Sequence, residues 1–121
     1  MCIDTHKMHE LVSTKEIISI NQQFAEGIVI NSSSLDFAVT EANQTKSWLR
    51  ACSVLVRVIL IDHVFDEGNK RTAASIMISY FEAKEIRYKP ETVARIITTI
   101  LMKNITNLIT IERMIKNGMA T

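Results

Sequence analysis

Eleven consecutive residues, His63-Val64-Phe65-Asp66-Glu67-Gly68-Asn69-Lys70-Arg71-Thr72-Ala73, bring together a proton acceptor, two carboxylates, a Gly-Asn corner and a Lys-Arg pair. They lie where a long apolar run gives way to an amphipathic one, in which Ala73, Ile76, Met77, Tyr80 and Phe81 recur at helical spacing. The amides from Gly68 to Arg71 are therefore expected at a helix N-terminus. The first N–H groups of a helix lack intrahelical partners and its dipole turns the positive pole outward, so such an end binds anions. Gly68 permits the tight turn that leads into it. Lys70 and Arg71 oppose the dipole in that first turn, an arrangement that an arriving anion offsets. A polyphosphate is the candidate. Glu67, or failing it Asp66, could hold Mg²⁺, which takes one or two carboxylates and shares its other positions with water and phosphate oxygens. Asn69 could orient a phosphate oxygen, Arg71 offers a planar fork and Lys70 a point charge. Thr72 is a candidate phosphate ligand, with a hydroxyl turned back on its own helix as the other reading. Imidazole exchanges its proton near neutrality, so His63 could strip a hydroxyl nucleophile.

The string resembles the signature of the Fic/Doc (Fido) superfamily, and most closely the Doc, or death-on-curing, toxin branch, whose motif runs roughly H-x-F-x-[DN]-A-N-K-R. Fic adenylyltransferases favour H-P-F-x-[DE]-G-N-G-R-x-x-R. Val64 stands where the Fic pattern has Pro, Lys70 where it has Gly, and Ala74 where it has the second Arg. These three departures side with Doc. Gly68 sides with Fic, and Glu67 keeps a carboxylate one methylene longer than the usual Doc Asp. The resemblance implies one Fido domain over residues 1–121, with His63 as general base and Glu67 as the Mg²⁺ ligand. It places Asn69, Lys70 and Arg71 on the nucleotide phosphates and Phe65 in the core as the anchor of the loop. Because Doc-like chains lack the small Gly and second Arg that seat ATP for AMP transfer, it implies a kinase. Such a kinase would deliver the γ-phosphoryl group of ATP to a Ser or Thr hydroxyl of a protein, a translation elongation factor in the Doc branch. The alternative is AMP transfer to such a hydroxyl, which Gly68 keeps open.

Many Fic proteins inhibit themselves with a helix reading [ST]-x-x-x-E-[GN]. Here Glu is followed by Gly or Asn only at Glu26 and Glu67, and the residues four positions earlier are Gln22 and His63. That device is missing, and the resemblance implies a separate antitoxin acting in trans. A binding relic without activity is the non-enzymatic reading, opposed by the presence together of His63, Glu67, Asn69 and Arg71. A His-x-x-x-Glu metallohydrolase built on His63 and Glu67 lacks a third ligand at suitable spacing.

A chain of 121 residues is expected to form one domain with a core large enough to need no staples. A net charge of +1 argues against nucleic acid as a partner. Cys2 and Cys52 make no disulfide framework and fit a reducing compartment. The opening Met1-Cys2-Ile3-Asp4-Thr5-His6 lacks the regions of a signal peptide, so a cytoplasmic protein is expected. His6 and His9 could chelate a metal, but no third ligand accompanies them.

The positioning elements read as an all-α bundle of about six helices around a buried central one. Val12, Ser13, Glu16 and Ile17 give a capping box and a hydrophobic staple, opening a helix with Ile17, Ile20 and Phe24 inward and Gly27 at its end. Ile28 to Ser33 is a loop or short extended flap, which the resemblance implies docks the target. Ser34 is expected to cap a brief helix from Leu35 to about Ala42. The run from Trp48 to Phe65 is rich in β-branched residues but too long for a strand, and as a helix is apolar all round, hence central. Arg57 and Asp62 interrupt it, so it does not span a membrane. His63 falls at its C-terminal end. The site helix extends to about Lys84 with Tyr80 and Phe81 in the core, Pro90 opens a helix to about Lys103, and Thr110 caps a last one from Ile111 to Asn117, closed by Gly118. Arg87, Arg95 and Arg113 are expected at the surface.

Overall fold

The computed structural model describes residues 12–119 and is all-helical. Its helices are α1 (Thr14–Asn21), α2 (Ser32–Gln44), α3 (Trp48–Ile61), α4 (Asn69–Ala83), α5 (Pro90–Met102) and α6 (Leu108–Asn117). The expected central helix is α3. It packs against α2, α4, α5 and α6, and Ala51 to Val56 and Val58 to Leu60 are all buried. The Trp48 ring stacks on Tyr80 at 6.4 Å and meets Phe81 edge-on at 6.2 Å, fastening the start of α3 to the end of α4. Cys52 is fully buried and its thiol is pushed well above the usual range by desolvation, so it is a packing residue and no nucleophile. Among the described residues no helix is long and apolar enough to cross a membrane.

Local chemistry explains most helix ends. Ser13 caps α1 through the full capping box, its Oγ accepting from the Glu16 N–H and the Glu16 carboxylate from the Ser13 N–H. The Asn43 side chain bonds both backbone groups of Val12, at 2.7 and 2.8 Å, and so ties the chain ahead of α1 to α2.

Three boundaries differ from expectation. Helix α1 stops at Asn21 because the Asn21 carbonyl takes the N–H groups of both Phe24 and Ala25, closing a turn. Phe24 therefore leaves the core stripe and is 37% exposed, while Gly27 serves a later bend at φ +73°. Helix α2 begins at Ser32 and its cap is Asn31, not Ser34. The Asn31 Oδ1 accepts from the Ser34 N–H, and its Nδ2 is held by the Asp62 carbonyl at 3.0 Å. Helix α6 likewise begins three residues earlier than expected, on Asn107, whose Oδ1 accepts from the Thr110 N–H at 2.9 Å. Asparagine caps as well as serine or threonine does.

The central helix also ends sooner than its apolar run. Asp62 is the C-cap and His63 follows at φ +54°, in the left-handed region. The same conformation ends α4 at Glu85 and α5 at Asn104, so it is the stop signal of this fold. It lifts His63 off the apolar face and into solvent.

Candidate functional site

The site loop, residues 62–68, crosses from the end of α3 to the start of α4. Val64 and Phe65 are fully buried and pin its middle in the core, the place expected of Phe65. Residues 28–30 lie antiparallel to it as the flap. The Asp66 N–H donates to the Ile28 carbonyl at 3.0 Å, and the Ile30 N–H to the Val64 carbonyl at 2.8 Å, on either side of the bridge between Val29 and Phe65. In such a pair the N–H and C=O of Val29 face away from the loop. Ile28 and Ile30 are more than half exposed. The flap is one bridge long and ends at Asn31, since Ser32 and Ser33 already belong to α2.

Gly68 is the N-cap of α4, at φ +81°, and no side chain among the described residues caps this helix. The N–H groups of Asn69, Lys70 and Arg71 have no acceptor among the described residues, whereas the Thr72 N–H returns to the Gly68 carbonyl at 2.9 Å. Lys70 and Arg71 are exposed and make no ion pair among the described residues; Arg71 lies over the Phe24 ring, 5.9 Å from its centroid. These residues, with His63, Glu67 and Asn69, line one cleft of about 610 Å³ whose far wall is Phe24, Leu60 and Leu101. That size suits a nucleotide-scale ligand. His63 and the positively polarised helix tip thus open into the same space.

Two of the expected phosphate ligands have other work. The Asn69 side chain is nearly buried and closes the loop. Its Oδ1 accepts from the Phe65 N–H at 3.0 Å and its Nδ2 donates to the Phe65 carbonyl at 2.8 Å, with His63 Nδ1 a further 3.4 Å away. The last separation is at the long limit for a hydrogen bond and fixes no tautomer of the imidazole. Asn69 can offer phosphate its backbone N–H but not a free amide. Thr72 is fully buried and its Oγ1 accepts from Asn21 Nδ2 at 3.0 Å. Its side chain is a structural clamp rather than a phosphate ligand, because the hydroxyl lies on the inner side of α4.

Glu67 carries an exposed carboxylate with no hydrogen bond or ion pair among the described residues, at the junction of this cleft with a smaller one of about 210 Å³ that Glu26 and Asp66 also line. Among the described residues no three His, Cys, Asp or Glu side chains converge as a metal site. A single free carboxylate beside a positively polarised helix tip could hold Mg²⁺ only together with phosphate oxygens and water, and does not fit an all-protein cage. His6 and His9 lie outside the described residues.

Sequence reasoning missed two residues. Phe24 lines the cleft instead of the core, and Asn21 is buried with its amide bonded to the Glu67 carbonyl at 2.8 Å and to Thr72. A polar residue on the inward face of α1 was the only signal for Asn21.

No protein-family model, curated protein or solved structure matches this chain. The site must be read from its own geometry.

Gly68→Ala tests that geometry. A methyl group there would stand 3.0 Å from Asn21 Nδ2 and 3.2 Å from Ala25 Cβ, on a backbone that costs an L-residue about 1–2 kcal/mol. The variant is expected to unfold at lower temperature and, if the corner is an anion site, to bind an anion such as tripolyphosphate about tenfold more weakly as the corner shifts, checked by thermal denaturation and calorimetric titration.

Proposed function

We propose that this chain is a Doc-type member of the Fido superfamily, a protein kinase that moves the γ-phosphoryl group of ATP to a Ser or Thr hydroxyl of another protein. The observation that carries this is the helix tip at residues 68–71, where three N–H groups have no acceptor and Lys70 and Arg71 no ion-pair partner among the described residues, on the same cleft as the exposed His63. In this reading the tip and the Arg71 fork hold the triphosphate, charge-assisted by Lys70. The apolar wall of Phe24, Leu60 and Leu101 takes the rest of the nucleotide. An extended target segment pairs with the outward N–H and C=O of Val29, which brings its hydroxyl to His63. The imidazole accepts the hydroxyl proton as the oxygen bonds to the γ-phosphorus, and the bond from that phosphorus to the β,γ-bridging oxygen breaks to release ADP. Mg²⁺, when bound at Glu67, supplies charge neutralisation on the phosphates. Catalysis would otherwise be positioning and electrostatics.

AMP transfer is the second reading, favoured by Gly68 at its left-handed corner. The target oxygen would then attack the α-phosphorus and pyrophosphate would leave. Lys70 and Ala74, at the positions where Fic chains carry Gly and the second Arg, favour γ-transfer. Control by a separate antitoxin belongs to the same proposal. So does a cytoplasmic location, where ATP and a translation elongation factor are available.

Labelling decides between the readings. The chain is incubated with Mg²⁺, a translation elongation factor and ATP carrying label at either the α- or the γ-phosphate. Transfer of the γ label alone is the expected result. A protein that keeps only the α label overturns the kinase in favour of AMP transfer, and label from neither, on this factor or on the proteins of a cell extract, removes the enzymatic reading.

A further inference from the structure

Asn21 sits at the end of α1, 46 residues from the site loop in sequence, yet its side chain touches both halves of the site. Nδ2 donates to the Glu67 carbonyl at 2.8 Å and to Thr72 Oγ1 at 3.0 Å, and Oδ1 accepts from the Gly27 N–H at 2.8 Å. The two acceptors on one side and the donor on the other fix which way the amide faces. Asn21 is fully buried, and its own carbonyl takes the Phe24 and Ala25 N–H groups, so one residue holds the wall residue Phe24, the hinge Gly27 ahead of the flap, and the corner at Gly68.

The bond to Glu67 has a stereochemical effect. No peptide bond among the described residues is cis, and in a trans peptide the C=O and the next N–H point in opposite directions. Drawing the Glu67 carbonyl toward Asn21 therefore turns the Gly68 N–H away from it. Gly68 lines the large cleft and Asn21 does not.

We propose that Asn21 is a positioning residue which aims the Gly68 amide at the bound anion and locks the anion corner to the flap hinge at Gly27, so that occupation of the corner is transmitted to the flap. This rests on the anion-binding reading of residues 68–71 given above. The binding of the triphosphate and the pairing of the target are then linked through one side-chain amide, which keeps the attacked phosphorus and the incoming hydroxyl in register.

Tripolyphosphate is the probe, added to the uniformly ¹⁵N-labelled chain without nucleotide or target while backbone amide resonances are followed. In the wild type the Gly68 to Arg71 amides and the Gly27 amide are expected to shift together with one dissociation constant. Asn21→Asp keeps the acceptor for Gly27 but replaces the donor that holds the Glu67 carbonyl. It should bind tripolyphosphate about tenfold more weakly, the loss expected of one buried hydrogen bond, and the Gly27 response should vanish while the corner still responds. A purely structural Asn21 would lower stability without separating the two responses. Corner amides that shift in the wild type with Gly27 unmoved overturn this proposal alone, as does an Asn21→Asp chain in which Gly27 still follows the corner. A wild type that does not respond at all overturns the anion corner as well. Because the wild-type titration is itself decisive, the test survives an Asn21→Asp chain that does not fold.

Discussion

Under the proposed kinase activity, His63→Asn is expected to give a folded protein that still binds ATP and transfers label about 10²- to 10⁴-fold more slowly than the wild type, the range lost with a general base. The choice of asparagine follows from the backbone. His63 lies at φ +54° at the end of α3, a conformation that Asn adopts far more readily than most residues. The His63→Asn chain would keep the helix stop and the course of the loop while losing the imidazole, the only one among the described residues that line the cleft. Alanine at the same place would confuse lost chemistry with a strained turn. Single-turnover transfer measured beside denaturant unfolding separates the two effects. An unchanged transfer rate in the asparagine variant would strip His63 of its role, and an unchanged ATP dissociation constant would place that role in the chemical step.

Asn69→Ala is expected to be the most destabilising polar substitution in the site. The Asn69 amide satisfies both backbone groups of Phe65, whose side chain is fully buried. Each group stranded without a partner costs about 1–3 kcal/mol, so the variant should lose about 2–6 kcal/mol of a total that for such domains is about 5–15 kcal/mol. Urea unfolding would show a lower midpoint with the slope preserved. The loop that carries His63, Asp66 and Glu67 would lose its closure as well, and transfer should fall even under conditions where the chain remains folded. A midpoint within error of the wild type would mean that water replaces the amide, and the site would then be less rigid than its geometry implies.

The sequence made the site legible as a neighbourhood better than as a division of labour. Residues 68–71 sit where spacing put them, because a glycine followed by helical periodicity is a local signal and the helix tip is its local consequence, whereas His63 lies beyond the end of the helix that the apolar run predicts for it. The work of individual side chains was less legible. Asn69 and Thr72 present polar groups that can serve either a ligand or the backbone, and only the path of the loop shows that they serve the protein. Phe24 continued the helical stripe of Ile17 and Ile20 in sequence, but the helix had already ended at Asn21. Asn21 was invisible because the partners that tie it to the site, Glu67 and Thr72, lie 46 and 51 residues away. The capping box at Ser13 was read correctly because both partners fall within one turn, whereas Asn31 lost to Ser34 in the reading because its decisive second bond, to Asp62, is long-range.

The pairing of the flap with the site loop is a single bridge, between Val29 and Phe65. Sheet edges invite other copies of the same chain to add to them, and long, flat edges seed aggregates. An edge one residue long offers a visiting peptide one register and a donor-acceptor pair, too little to template a second flap and enough to orient a segment already held by its side chains. So short an edge gives another copy of the chain little to pair with.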